Sequence, residues 1–388
     1  SLAVNVSGGA HLHLGYAGQN GGIQIGLVTT QGVNPFSGSF DPAKNRFKLT
    51  TAQLTALNNR QLYVNVHSRK YPSGEIRGQL LRNAEAYYAA NMMGSYENPV
   101  VMTQASGAVA IELRGNDIVL SGSFARLEGD FAADVSGGAH LHLGYAGQNG
   151  GIQIPLKATA NADLKGGVFE AQNNTFTLTA DQLAALRSRR LYANVHSQKS
   201  RSGEIRGQVV SNSTRAVFRG HLSGSNENPS VTTLASGLVI VEIVDTANII
   251  VSGAFNNLEG DVAVNVGGGA HIHRGLAGEN GGIIRGVTFT PTANNRSGTL
   301  DAAANALNIG GVEVQRMLSR GTYFNVHSLL YPSGELRGQL LPEKHVNFSA
   351  YLSGIFEVPE AISRGSGAVK AELIGTELVV SGSFRNLS

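Results

Sequence analysis

Nine of the eleven histidines fall into one pattern written three times: His11, His13 and His67; His140, His142 and His196; His271, His273 and His327. In each set a His-x-His pair is followed by a third histidine 56 residues after the first. Residues i and i+2 of a strand share a face, so His-x-His on a strand presents two imidazoles side by side. A third from a neighbouring strand would close a three-nitrogen site, a donor set that suits copper, zinc or nickel. The spacing persists while the sequence between changes, which favours metal binding over rings that merely bond loop backbone and pack on glycine turns. Copper is the first expectation and zinc the alternative, about one ion per repeat. Asn65, Asn194 and Asn325 lie two residues before the third histidine and point the same way. Together with Glu75, Glu204 and Glu335 they are candidates to support the ring N–H of a ligand from a second shell. Each of those glutamates also shares a strand face with an arginine two residues on (Arg77, Arg206, Arg337), where an ion pair or hydrogen-bonded latch is the plainer expectation.

The elements that must hold these rings also recur. Gly-Gly-Ala-His-Leu-His-Leu-Gly-Tyr-Ala-Gly-Gln-Asn-Gly-Gly runs from Gly8 to Gly22 and again from Gly137 to Gly151, with a variant from Gly268 to Gly282. Asn-Val-His-Ser recurs at Asn65, Asn194 and Asn325, each time followed by Ser-Gly-Glu-Ile/Leu-Arg-Gly-Gln. Self-similarity at a fixed period is the mark of a repeat architecture, here with units of about 130 residues. Short β-branched or aromatic runs bounded by Gly, Asn, Asp and Pro, such as Ile118 to Phe124 and Leu62 to His67, read as strands. The fold class is all-β: tandem antiparallel, Greek-key-like β-sandwich domains. One short helix is expected per unit, at Thr51 to Asn58, Ala180 to Arg187 and Val312 to Leu318, from apolar residues three or four apart. The glycine runs carry no following Lys-Ser/Thr and open no helix, so they read as turns and not as phosphate loops.

These strings resemble the CHRD domain, named for chordin and common in bacterial and archaeal extracellular proteins. The matching residues are Glu97-Asn98-Pro99, His140-x-His142, Asn194-Val195-His196 and Gly203 to Gln208. The resemblance implies a domain that opens on the Glu-Asn-Pro strand and closes on the Gly-Glu-Ile-Arg-Gly strand. On that phasing 86–211 and 216–341 are whole CHRD domains, 1–82 is a C-terminal part and 345–388 an N-terminal part. The third histidine of one set lies 73 or 75 residues before the next set within the chain, and 72 when one copy's end is joined to another's start. The expected assembly is a head-to-tail homopolymer in which 345–388 completes 1–82 of the next subunit; one longer covalent repeat chain would give the same array. A heterologous contact that does not close into a ring grows into a filament.

Composition narrows the rest. Glycine is 50 of 388 residues and charged residues only 15%, a turn-rich, charge-poor mixture unlike a coiled coil or a disordered chain. The net charge of +3 comes from scattered basic residues without a stacking aromatic face, so no nucleic-acid partner is expected. No apolar run is long enough to span a membrane. The absence of cysteine suits an extracellular or cell-surface setting, where sequons such as Asn173-Asn174-Thr175 could carry glycans. No nucleophile–base or paired-acid constellation stands out, so the chain reads as a structural protein and not an enzyme. The Gly-Gly-Ala-His-Leu-His segment also looks like the copper-binding strand of copper–zinc superoxide dismutase, which keeps a dismutase-like copper enzyme as an alternative, beside an extracellular ligand-binding module. His221 and His345 fall outside the pattern and read as surface residues.

Overall fold

The computed structural model describes residues 8–34, 36–343, 346–353, 361–374 and 377–387. It is an all-β chain with three short helices, Thr51–Asn58, Ala180–Arg187 and Gly311–Leu318, one per repeat and within a residue of the sequence expectation. The first is closed by a capping box: Thr50 accepts from the Gln53 N–H while Gln53 accepts from the Thr50 N–H. The chain divides into two compact units, one of residues 8–142, 151–185 and 191–212, the other of 143–150, 186–190 and 213–387.

Within the first unit, an eleven-stranded antiparallel sheet curls on itself. Its centre is a meander of Ala86–Met93, Ser106–Arg114 and Asp117–Ala125. On one side follow Ile205–Gln208, Leu191–Val195, Ala139–Leu143 and Ile152–Pro155; on the other, Gly167–Phe169 and Ala158–Ala160. The second unit repeats this order around the meander Ala216–Ser223, Ser236–Ile243 and Asn248–Asn256. In both, the part that is first in sequence supplies the middle of the sheet, and the later part clasps it from both sides. Neither part buries its apolar face alone. The core joins Phe218, Val241 and Phe255 from the meander to Ile272, Leu300, Met317 and Phe324 from the later part.

The remaining strands are partial versions of the same sheet. Residues 8–82 form a four-stranded sheet of Ile23–Gly26, Ala10–Leu14, Leu62–Val66 and Ile76–Gln79, plus a small ribbon of Thr29–Gln31 with Gly38–Phe40. Residues 346–387 form the three-stranded meander Val346–Ser353, Ser366–Ile374 and Glu377–Arg385.

One contact between successive repeats recurs in all three cases. The arginine after each helix holds a left-handed backbone (φ 58°, 59° and 63° at Arg60, Arg189 and Arg320) and forks onto a buried glutamate of the next meander. The pairs are Arg60–Glu112 in the first unit and Arg189–Glu242 and Arg320–Glu372 in the second, at 2.8–2.9 Å. Two parallel N–H···O bonds fix both distance and angle, which a lysine's point charge cannot do.

Candidate metal centre

The His-x-His strand lies between an edge strand and the Asn-Val-His strand. In the third repeat His271 sits opposite Asn325 and His273 opposite Tyr323, with the same pairing at His11/Asn65 and His13/Tyr63. A register shift against the edge strand falls between Leu12 and His13, Leu141 and His142, and Ile272 and His273. A bulge of this kind re-aims a side chain. His67, His196 and His327 follow directly after the neighbouring strand. The nine expected ligands therefore gather as three sets of three, all buried, with one nitrogen from each ring within 4.8 Å of the others in its set.

The hydrogen bonds fix the tautomers. In the third repeat His271 Nε2 faces the Gly267 carbonyl at 2.7 Å, His273 Nδ1 the Gly281 carbonyl at 2.9 Å, and His327 Nδ1 the Pro332 carbonyl at 3.0 Å. A carbonyl only accepts, so each of these nitrogens carries the hydrogen and each opposite nitrogen is a lone pair in the neutral ring. Those three atoms, His271 Nδ1, His273 Nε2 and His327 Nε2, are buried and have no partner. In the second repeat the same logic applies to His140 and His196, whose outer nitrogens face Ser136 O and Arg201 O at 2.8 and 2.9 Å. Their inner nitrogens then stand 3.1 Å apart as two lone pairs. That approach requires a cation or a proton between them. Burial holds the His196 and His327 imidazoles down at about 4 and lowers His140, His271 and His273 as well, which disfavours the proton near neutrality. One Nδ1 and two Nε2 donors, all neutral, fit a borderline transition-metal ion.

A stack supports the middle ring. Tyr63, Tyr192 and Tyr323 lie against His13, His142 and His273 at 5.0–5.1 Å with interplanar angles of 10–12°. The guanidinium of Arg77, Arg206 or Arg337 covers the tyrosine at 3.3–3.5 Å. These tyrosines were not singled out from the sequence. Their position opposite the second histidine of each pair, two residues before the conspicuous asparagine, is the signal that points to them.

The flanking polar residues work at the joint between the two parts of a repeat. Asn325 Nδ2 donates to Glu227 Oε1 at 2.9 Å, and Asn194 bonds Glu97, so the Glu-Asn-Pro segment is tied to the histidine strand. Burial raises Glu97 to about 8 and Glu227 to about 7. Gly203 and Gly334 (φ +131° and +132°) allow this approach: a Cβ at Gly203 would stand 2.5 Å from Asn194 Oδ1 and 2.7 Å from Glu97 Oε1. Glu204 and Glu335 accept from Thr103 and Thr233 hydroxyls and from the Glu128 and Glu259 N–H groups. Asn65 is buried in the first repeat, and Glu75 is exposed. The acceptors seen for imidazole N–H groups are main-chain carbonyls. Of the two expected forms, Glu335 takes the hydrogen-bonded latch and not an ion pair with Arg337, which donates to the Leu276 and Glu279 carbonyls and to Asn280 and stacks on Tyr323. His221 is exposed; His345 lies outside the described residues.

The family profile of the CHRD domain matches this chain three times, over residues 1–80, 88–209 and 218–340. No curated protein matches it significantly.

Proposed function

The chain belongs to the CHRD domain family, and from that footing we propose that it is a secreted structural subunit, not an enzyme, which assembles head to tail into an extracellular filament. Each repeat is clasped by one metal ion, copper in preference to zinc. The observation that carries the metal is the set of three converging, partnerless ring nitrogens in the third repeat; in the other two repeats three buried imidazoles gather within the same distance of one another. Copper stands ahead of zinc because it leads the divalent series for nitrogen donors. A bound ion ties the His-x-His strand to the Asn-Val-His strand and stabilises the folded state alone. All nine rings are at most 8% exposed, which supports a clasp over a catalytic ion open to substrate. CHRD domains are typical of extracellular proteins, and no helix among the described residues is long and apolar enough to cross a membrane. The head-to-tail reading is supported by the joint inside the two whole repeats, where the later part of each clasps the meander of the earlier part on both sides by strand pairing.

Elemental analysis of the purified chain tests the clasp: three ions per chain are expected, with copper retained in competition with zinc. A chain that purifies and refolds without metal, and takes up none from equimolar copper or zinc, would sink it. Negative-stain microscopy of concentrated protein tests the filament.

A further inference from the structure

A lysine and an asparagine meet within the second unit, each held in place by its neighbours. Lys370 lies on the middle strand of the meander of 346–387, two residues before Glu372 of the arginine fork and so on the same face, turned to the third repeat. Its Nζ donates to Asn226 Oδ1 at 2.9 Å and to Ser349 Oγ at 2.6 Å, both neutral groups. Asn226 closes the short 3-10 turn Gly224–Asn226 that follows the first strand of the third repeat. Its amide is clamped. Nδ2 donates to the His221 and Arg337 carbonyls at 3.2 and 3.1 Å, and Oδ1 accepts a second bond from the Tyr351 hydroxyl at 3.2 Å. Burial first, and then the Arg337 guanidinium, hold the Lys370 amine down at about 8, so roughly a tenth of it is unprotonated at pH 7. At the equivalent positions the earlier repeats carry Ala110 and Ile240 for the lysine and Tyr96 for the asparagine. The pair is particular to this junction.

We infer that Lys370 and Asn226 condense to an isopeptide bond, which ties the meander of 346–387 covalently to the third repeat. The unprotonated Nζ adds to Asn226 Cγ. The Nζ–Cγ bond forms, the Cγ–Nδ2 bond breaks, and the amide nitrogen leaves as ammonia with one proton from the amine. Nothing is oxidised or reduced, and no co-reactant is consumed. The negative charge that develops on Oδ1 falls where the Tyr351 hydroxyl donates, an arrangement that stabilises a tetrahedral intermediate. Holding amine and amide side by side makes a sluggish bimolecular reaction intramolecular. A small pocket lined by Asn226, Arg337, Tyr351 and Lys370 leaves room for the ammonia. The two side chains stand 144 residues apart in sequence. With no cysteine in the chain, a disulfide cannot supply such a tie. The inference is independent of the metal and of assembly between copies.

Mass spectrometry of the whole purified chain reads the reaction directly. After incubation of the folded chain near pH 8, where the amine is half unprotonated, the intact mass is expected to lie below the sequence mass by one ammonia. A tryptic digest of the same material is expected to contain one branched peptide that joins Asn226 to Lys370. K370R keeps a cation that can bond Asn226 but has no amine to form the link, and N226A has no amide; both are expected to keep the full mass and to yield only linear peptides. Asparagine followed by glycine also loses ammonia, by closing a ring on its own backbone, and the chain carries such pairs at Asn20-Gly21, Asn149-Gly150 and Asn280-Gly281. Ammonia loss that maps only to those pairs, and persists in K370R, would overturn the inference. So would a wild-type chain, folded by circular dichroism, whose digest holds Asn226 and Lys370 in separate linear peptides alone.

Discussion

The chemistry of the nine histidines comes from where their outer nitrogens are spent. Carbonyls at Gly267, Gly281 and Pro332 take the three N–H groups of the third repeat, and three lone pairs are left facing one another. Removing one ligand leaves two donors, so H327A is expected to lower metal content from three ions per chain to two, by elemental analysis. In the metal-free protein the same rings make stability depend on pH. His196 and His327 titrate at about 4 when folded and at 6.5 when unfolded, so the unfolded chain binds more protons between those values. Stability is then fully present above about pH 6.5 and falls as the pH drops toward 4, by roughly 3 kcal/mol for each ring. Urea unfolding of chelator-treated protein at several pH values in that interval would show it; a flat profile would contradict the burial of neutral imidazoles.

At the scale of elements, two devices lock the strands. The close approach of Asn194 and Glu97 depends on a glycine at φ +131°, where any side chain is both strained and obstructed. G203A is therefore expected to cost about 1–3 kcal/mol, read as a lower urea midpoint. The second device is the arginine fork between repeats. Glu242 is fully buried and held by Arg189. R189A strands that carboxylate and is expected to cost about 3–5 kcal/mol, while replacing both partners by apolar residues recovers much of the loss. A double-mutant cycle measures the difference.

Across the whole molecule, each set of three histidines lies within one repeat, with His11, His13 and His67 all within residues 8–82. On the proposed reading the first site therefore needs no residue from another copy. Dilute, non-associated chains are expected to bind three ions, not two, in a copper titration. Chelation is expected to lower the melting temperature, since an ion held at a hundredfold excess over its dissociation constant contributes about 2.7 kcal/mol per site.

Much of this was written in the order of residues. The period near 130, the three helices and the gathering of the histidines in threes follow from local rules: strand alternation, apolar spacing and repeated strings. The chain could not say by itself which nitrogen of each ring is free, because that depends on carbonyls such as Gly281 and Pro332, brought to the rings by turns and not by sequence distance. Nor could it show that Glu335 and Arg337, side by side on one strand, would go to different partners; Tyr323 on the adjacent strand supplies a flat face that draws the guanidinium away. The tyrosine stack and the arginine forks were likewise invisible, since each joins side chains from separate strands or repeats. Periodicity along a chain is a local property that a strand or helix inherits directly, whereas the partner of a buried polar atom is chosen among everything the fold packs around it, and only the packed structure makes that choice.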